Sequence, residues 1–184
     1  MEALIQLDEK ILLFIQEYLR QEWMDPFWKA VTHLGDGGWL WILLGVGLLI
    51  FPKTRRAGIT VLLALAIGAV VTNVILKNIV ARIRPYEVIE GLRLMIERQH
   101  DFSFPSGHTC ASFSAAVAIF KALPRKFGIP AIVLATLISL SRLYVGVHYP
   151  TDIAAGLVIG ILSGWTAWML VQKYETKKSS RSDK

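Results

Sequence analysis

The sequence predicts an all-α integral membrane helical bundle, with five transmembrane helices, or six if the N-terminal stretch also crosses the bilayer. Composition is the first observation behind this prediction: 54% of the 184 residues are hydrophobic and only 18% are charged. A soluble domain of this length is ordinarily less apolar. The second observation is the pattern, because the charges gather in short segments between apolar runs that approach the length needed to cross a bilayer.

Five apolar segments are the predicted spans. In chain order they are 37–51, 57–76, 107–120, 127–147 and 153–171. The first is short, and the segment 26–34 would extend it across a Gly-Asp-Gly-Gly break. The second carries no charge and would be about 30 Å long as a helix, which matches the hydrocarbon thickness of a bilayer. The third is rich in Ala and Ser, so we expect it to be buried among the other helices.

The two ends of the chain differ from the membrane-embedded domain, which we assign to residues 23–172. In residues 1–22, apolar side chains recur at helical spacing while charged side chains take the other face. This pattern is typical of an amphipathic helix that lies on the membrane surface. Residues 173–184 are polar and basic, and we expect them to form a disordered cytoplasmic tail.

The loop charges predict the orientation in the membrane. Basic clusters follow the first, third and fifth spans, so a five-span topology puts all of them on one side, which should be the cytoplasm. These clusters lie at 53–56, 121–126 and 173–184. Three other blocks then reach the opposite, extracytoplasmic face of the cell membrane. They are 77–85 (KNIVARIRP), 105–108 (PSGH) and 141–152 (SRLYVGVHYPTD).

The last block pairs a histidine with a carboxylate. Asp152 follows His148 by four residues, at the start of the fifth span. A carboxylate in this position can hold the Nδ1–H of the ring and leave Nε2 as an exposed lone pair. An imidazole held in this way can act as a nucleophile or as a base.

The second block places His108 at the start of the third span. The N-terminus of a helix offers free backbone N–H groups and a partial positive charge, which suit an anion. Ser106 adds a hydroxyl donor, and Gly107 lets the backbone approach the anion closely. We therefore predict a phosphate cradle with a histidine placed to give a proton. A plain helix cap at Ser106 is the alternative.

Fixed positive charge is the third ingredient. Lys77 and Arg84 belong to the first block, and Arg142 lies near the end of the fourth span. Arginine can hold phosphate oxygens with two parallel hydrogen bonds, whereas lysine acts as a point charge. Anchoring at the membrane surface would explain any one of these cations, but not why all three accompany the histidines. We assign no catalytic role to Arg82.

In this order, Lys-x6-Arg-Pro, Pro-Ser-Gly-His and Ser-Arg-x5-His-x3-Asp resemble the signature of the type 2 phosphatidic acid phosphatases, over about residues 25–172. The resemblance implies hydrolysis of a lipid phosphate or diphosphate. It implies that His148 attacks phosphorus and forms a phosphohistidine, that Asp152 orients His148, and that His108 protonates the leaving oxygen. The residues it implies for binding the phosphoryl oxygens are Lys77, Arg84, Ser106, Gly107 and Arg142.

Neither a cofactor nor a metal is expected, since the blocks hold few free carboxylates and three cations can replace the charge of a metal. The expected partners are membrane lipids and a lipid phosphate such as undecaprenyl diphosphate, phosphatidylglycerol phosphate or phosphatidic acid. Despite a net charge of +6, nucleic acid is not expected, because the charges are not interleaved with aromatic residues on one polar face. Gly156, Gly160 and Gly164 predict close helix packing, within the bundle or in a homodimer.

Three other functions compete with this interpretation. Vanadate-dependent haloperoxidases share the same blocks, but those relatives are soluble. A transporter would line a path with its charges, whereas the charges here gather at one face. An inactive membrane scaffold would have no use for His148 and Asp152 together.

Overall fold

The structure, a computed structural model, describes residues 2–182, and all regular secondary structure within them is helical. The all-α prediction is therefore confirmed for this part of the chain. In chain order the helices are α1 (Glu2–Phe14), α2 (Asp25–His33), α3 (Trp39–Ile50), α4 (Arg55–Ala69), α5 (Lys77–Val80), α6 (Pro85–Val88), α7 (Gly107–Ala122), α8 (Arg125–Tyr144) and α9 (Pro150–Ser182). A π-helical segment, Val70–Leu76, joins α4 to α5 without interruption.

Several of these helices are long and apolar enough to cross a membrane. The clear candidates are Arg55–Val88, Arg125–Tyr144 and Pro150–Ser180. A fourth candidate is the pair Glu22–His33 and Asp36–Ile50, whose axes differ by 43°. The bend falls in the predicted Gly-Asp-Gly-Gly break, where Gly37 and Gly38 have φ values of +56° and +68°. Glycine adopts this left-handed backbone without steric cost. The count of five spans stays a prediction.

Helix α7 lies in the centre of the bundle and packs against α4, α8 and α9. It has 16 residues and is therefore about 24 Å long. Its small side chains are buried along most of its length, including Thr109, Ser112, Ala115 and Ala118. This burial confirms the prediction that the third apolar segment is enclosed by other helices.

The glycines of α9 face α7 at close range. A Cβ atom added to Gly160 would lie 2.7 Å from the backbone oxygen of Cys110, and Gly156 and Gly164 face α7 in the same way. Real Cβ atoms do not come this close to backbone, so the two helices can approach only because these positions are glycine. The structure therefore uses the glycines for packing within the bundle.

We expect Gly160→Ala to destabilise the protein by about 1–3 kcal/mol, because the added methyl group forces α9 away from α7. Thermal unfolding of the detergent-solubilised protein measures the effect. The matched control is Gly47→Ala, since a Cβ atom at Gly47 on α3 meets nothing within 4 Å. Equal unfolding temperatures for the two variants would contradict the close contact.

The C-terminal segment differs from its prediction. Helix α9 continues to Ser182, so the expectation of disorder is wrong for residues 173–182, and residues 183–184 lie outside the described residues. The segment contains no glycine or proline that would end the helix. Glu175 also forms an ion pair with Arg56 at 2.7 Å, which ties the extension to the start of α4.

Helix α1 packs on the bundle with an unexpected face inward. Leu4, Ile5 and Leu7 are exposed, whereas Asp8 and Leu12 are buried against the rest of the protein. The outward face of α1 is thus largely apolar, although it also exposes Gln6 and Lys10, and such a face suits a helix in contact with lipid. Its location at a membrane surface stays a prediction.

Candidate active site

The three sequence blocks meet at one end of the bundle. Lys77 begins α5, Arg84 immediately precedes α6, and Arg142 lies in the last turn of α8. His148 lies in the turn between α8 and α9, and Asp152 lies in the first turn of α9. The three cations are close enough to interact electrostatically with one another. Residues that are far apart in the chain therefore form one polar cluster.

His148 and Asp152 form the buried centre of this cluster. Nδ1 of His148 lies 3.3 Å from Oδ2 of Asp152, and His148 is only 1% exposed. The same Oδ2 accepts hydrogen bonds from Oγ of Ser103 at 2.5 Å and from the backbone N–H of Tyr149 at 3.0 Å. Burial, together with the positive charges of Arg84 and Arg142, lowers the pKa of His148 to about 3, although Asp152 acts in the opposite direction. The ring is therefore neutral near pH 7.

The other oxygen of Asp152 is held by an arginine that the sequence did not single out. Nη1 of Arg82 donates to Oδ1 of Asp152 at 2.8 Å. The backbone turns sharply here, because Ala81 ends α5 in a left-handed conformation with φ +48°. Arg82 and Arg84 consequently reach different partners although they are two residues apart. Ser103 was missed as well, since a serine in a loop carries no pattern of its own.

Arg84 is buried and held by several acceptors. Its Nη1 donates to the backbone oxygen of Val147 at 2.8 Å and lies 3.5 Å from Nε2 of His148. Its Nη2 donates to Oδ1 of Asp101 at 2.5 Å, and the other oxygen of Asp101 pairs with Lys77. The carboxylate of Asp101 therefore bridges the two cations beside His148. Phosphoryl oxygens also carry negative charge at a similar spacing, so the two cations are suited to hold them in the same way.

Asp101 is ionised in this arrangement. Burial raises the pKa of its carboxyl group, but hydrogen bonds and charges from Lys77 and Arg84 outweigh burial and hold the pKa at about 2. Its side chain is nevertheless 54% exposed, whereas those of Lys77 and Arg84 are almost completely buried. The carboxylate thus borders water, whereas the two cations lie beneath it.

Arg142 has an unusual environment for a permanently charged group. It is 1% exposed, and its Nη1 donates to Oγ1 of Thr32 at 2.6 Å. Its Nε is buried and has no hydrogen-bond partner among the described residues. A buried donor on a charged group is costly to leave unpaired, so this atom fits a site that receives an anion.

His108 is held by a carboxylate from the bend between α2 and α3. Nε2 of His108 lies 2.9 Å from Oδ1 of Asp36, and Oδ2 of Asp36 lies 2.8 Å from Nδ1 of His33. Neither Asp36 nor His33 belongs to the three sequence blocks. A Cβ atom on Gly35 would lie 2.6 Å from Cδ2 of His108, so this bend can reach the ring only because a glycine is present. The sequence signal for this contact was a single acidic residue, Asp36, within the Gly-Asp-Gly-Gly break.

Ser106 and Gly107 lie where the sequence placed them, at the start of α7. Oγ of Ser106 accepts hydrogen bonds from the backbone N–H and the hydroxyl of Thr109 at 3.4 and 3.1 Å, so Ser106 caps the helix. Its own O–H remains able to donate to an anion. A Cβ atom on Gly107 would lie 3.2 Å from Oδ1 of Asn73, on the π-helical segment. The cap that we considered as an alternative is thus present, and it is compatible with a phosphate-binding role.

A cavity of about 690 Å³ extends from this cluster into the bundle. Its polar end is lined by residues that include Lys77, Asp101, Gly107 and His108. Its other end is lined by apolar side chains that include Ile42, Leu62, Leu65 and Ala66. A molecule with an anionic head and a hydrocarbon chain would match both ends.

The positive charge in this cluster comes from side chains. Among residues 2–182, no group of three or more His, Cys, Asp and Glu side chains is arranged to hold a metal ion. Fixed cations can stabilise the charge of a transferring phosphoryl group, as metal ions do in other sites.

An apolar helical bundle with a buried His–Asp pair and three cations at one end is typical of a membrane protein that is suited to bind an anion. The comparison with family models then gives the family. The PAP2 superfamily model matches residues 57–175, and the chain belongs to this superfamily.

Individual relatives agree with this assignment. An undecaprenyl-diphosphatase from Sulfolobus acidocaldarius is 36% identical over 134 residues, which cover 73% of this chain and 63% of that protein. The bacitracin transport permease protein BcrC from Bacillus licheniformis is 36% identical over 132 residues, covering 67% of this chain and 64% of that protein. This chain thus spans slightly less than two thirds of the length of these two relatives.

A solved structure extends the likeness to the fold. The crystal structure of a transmembrane PAP2-type phosphatidylglycerolphosphate phosphatase from Bacillus subtilis superposes with a TM-score of 0.75 at 29% sequence identity. The match covers 96% of this chain and 88% of that chain. The likeness therefore includes nearly the whole bundle and not only the three blocks.

Proposed function

We propose that this protein hydrolyses the phosphate or diphosphate group of a membrane lipid through a covalent phosphohistidine, without a metal ion. The observation that carries this proposal is the placement of Arg84 and Arg142 beside a neutral, buried His148, with Lys77 near both arginines and Nε of Arg142 left unpaired. The names of the undecaprenyl-diphosphatase and phosphatidylglycerolphosphate phosphatase relatives support the same reaction class.

In the first step, the lone pair of Nε2 of His148 attacks phosphorus while the bond from phosphorus to the leaving oxygen breaks. The ring becomes positively charged, and the carboxylate of Asp152 beside Nδ1 stabilises that charge. His108 gives its proton to the leaving oxygen, which departs as the alcohol of a lipid or as a lipid monophosphate. Lys77, Arg84 and Arg142 stabilise the charge on the remaining phosphoryl oxygens.

In the second step, water attacks the phosphohistidine. His108, now without its proton, takes one from the water, and the new oxygen–phosphorus bond replaces the bond from phosphorus to Nε2. Inorganic phosphate leaves and His148 returns to its neutral state. Both steps use the same cations, so no group beyond this chain and water is needed.

The substrate enters, in this proposal, from the membrane. The apolar end of the cavity would hold the first part of the hydrocarbon chain, and the charged end would hold the phosphate. The basic clusters on the other ends of the spans favour an extracytoplasmic active site in a multi-pass protein of the cell membrane. Undecaprenyl diphosphate, phosphatidylglycerol phosphate and phosphatidic acid all have the required head and tail.

Phosphate release from these three lipids, measured side by side with purified protein in detergent micelles, tests the proposal. We expect turnover of at least one lipid, unaffected by EDTA and inhibited by vanadate. No release from any of them, or loss of activity with EDTA that magnesium restores, would contradict the proposal. Transport, which the name of the Bacillus licheniformis relative suggests, would give no phosphate release in micelles.

Asp101→Asn should tighten the binding of vanadate several-fold, because the substitution removes a negative charge that competes for Lys77 and Arg84. The inhibition constant of vanadate and the KM for the lipid measure the effect, and both should fall. Glu97→Gln is the matched control, since Glu97 is an exposed carboxylate in the same loop. Weaker vanadate binding by Asp101→Asn would mean that Asp101 instead positions the cations.

The ring of His148 should stay neutral over the range of about pH 5–8 in which an ordinary histidine gains its proton. Burial lowers its pKa to about 3, below this range. Histidine side-chain NMR signals of the protein in micelles test this, with the His148 signal identified by its loss in His148→Asn. That signal should keep its chemical shift throughout. A shift that titrates at about pH 6.5, the ordinary value, would refute the expectation.

A further inference from the structure

Asp8, on the N-terminal helix, is an unexpected buried acid. Asp8 is 2% exposed, whereas Leu4, Ile5 and Leu7 on the same helix are exposed. Three donors surround its carboxylate: Nη2 of Arg82 at 2.8 Å, the backbone N–H of Thr151 at 3.0 Å and Oγ1 of Thr151 at 2.5 Å. A carboxylate is seldom buried without such partners, so the fold places Asp8 here specifically.

Through Arg82, Asp8 is connected to the proposed catalytic pair. Nη2 of Arg82 donates to Asp8, whereas Nη1 of the same guanidinium donates to Oδ1 of Asp152 at 2.8 Å and to Oγ1 of Thr151 at 2.7 Å. Asp152 in turn holds Nδ1 of His148 at 3.3 Å. The guanidinium also lies over the ring of Tyr149, with Cζ 3.7 Å from the ring centroid.

This arrangement determines how strongly Arg82 binds Asp152. One guanidinium is shared between two carboxylates, so each receives only part of its donors. Without Asp8, both Nη groups of Arg82 could turn to Asp152 or one could turn to water, because Arg82 is partly exposed. Either movement would shift the carboxylate relative to Nδ1 of His148, a contact that is already long at 3.3 Å.

We propose that Asp8 is a positioning residue for the catalytic pair, so that the N-terminal helix completes the active site. Asp8 acts through Arg82 and touches neither His148 nor the phosphate-binding cations. The inference rests on the proposed roles of His148 and Asp152. Its consequence is specific: loss of Asp8 impairs the chemical step and leaves substrate binding intact.

The test is the substitution Asp8→Asn, which keeps the size of the side chain and removes its charge. We expect kcat to fall about 10–100-fold, the usual effect of losing an outer partner of a catalytic group, with little change in KM. The matched control is Glu17→Gln, an exposed carboxylate in the same N-terminal region, which should keep wild-type kcat. Unchanged kcat in Asp8→Asn, or a higher KM at constant kcat, would overturn the inference.

A double variant separates positioning from general destabilisation. Arg82→Lys keeps a positive charge but lacks the planar fork whose two Nη groups hold the two carboxylates, so it should show the same loss of kcat at constant KM. Adding Asp8→Asn to Arg82→Lys should cost little more, because both substitutions break the same connection. Additive losses of kcat would mean that the two residues act independently and would also overturn the inference.

Two further measurements complete the experiment: thermal unfolding of the Asp8 and Arg82 variants, and the activity of His148→Ala. If Asp8→Asn does not yield folded protein, Arg82→Lys alone decides, and wild-type kcat in that variant refutes the inference. If His148→Ala is inactive while Asp8→Asn and Arg82→Lys are fully active, only the role of Asp8 fails. If His148→Ala is active, the proposed function fails and the inference falls with it.

Discussion

His148→Ala should abolish turnover of every lipid phosphate substrate, with a loss of at least about a thousand-fold in kcat. His148 is the only side chain in the cluster of described residues with a neutral nucleophilic nitrogen facing Arg84, and alanine offers nothing that can accept the phosphoryl group. Phosphate release with the best lipid substrate measures the effect. His100→Ala, which changes an exposed histidine in the loop before the site, is the matched control and should remain active.

A second readout connects the loss to the covalent intermediate. Substrate labelled in its phosphate group should leave label on the wild-type protein after rapid alkaline denaturation, because phosphorus–nitrogen bonds are lost in acid. The label should be absent from His148→Ala and present in His100→Ala. Activity of His148→Ala within ten-fold of wild type, or label that persists without His148, would refute the assignment of the nucleophile.

The sequence predicted the helical class and the meeting of the three blocks at one end of the bundle because both predictions depend on local patterns. Uncharged runs of about 20 residues identify segments that favour a bilayer. A histidine and an aspartate four residues apart are close in the chain where a turn leads into a helix, and His148 in the turn before α9 does lie 3.3 Å from Asp152 in the first turn of that helix. The close packing of the α9 glycines could also be predicted, since their regular spacing keeps them on one face of that helix, which contacts α7 in the structure.

Contacts between segments that are distant in the chain could not be predicted from such local patterns. Asp8 and Arg82 are 74 residues apart, and Arg142 and Thr32 are 110 apart, so no periodicity connects them. In their local sequence, Asp8, Arg82 and Thr32 also resemble ordinary surface residues. The roles of these residues can be recognised only in the folded structure, which buries them together. An unpaired charge would be costly there, so each buried charge needs a partner.

For the C-terminal segment, a local sequence property led to a prediction that differs from the structure. Its polar composition favoured disorder, yet the helix continues because no residue in it breaks a helix and an ion pair links Glu175 to Arg56. Composition reports how little apolar surface a segment can bury. Composition does not predict where a helix that begins inside the bundle will end.

Arg142→Lys should reduce kcat/KM by about 10–100-fold, the value of one or two hydrogen bonds from a charged donor. Lysine keeps the positive charge, so a simple electrostatic role for Arg142 would survive the substitution. It lacks the planar fork, however, and cannot hold Oγ1 of Thr32 while presenting a second donor where Nε now lies unpaired. The loss should therefore exceed what a change in charge position alone explains.

The measurement is the dependence of phosphate release on lipid concentration, together with the inhibition constant of vanadate, for wild type, Arg142→Lys and Arg125→Lys. Arg125 begins the same helix at its other end and is exposed, so its substitution should change neither value. Vanadate binding should weaken in Arg142→Lys in proportion to kcat/KM, because both depend on the donor at Nε. Wild-type vanadate binding in Arg142→Lys would mean that this unpaired nitrogen faces something other than the phosphoryl group.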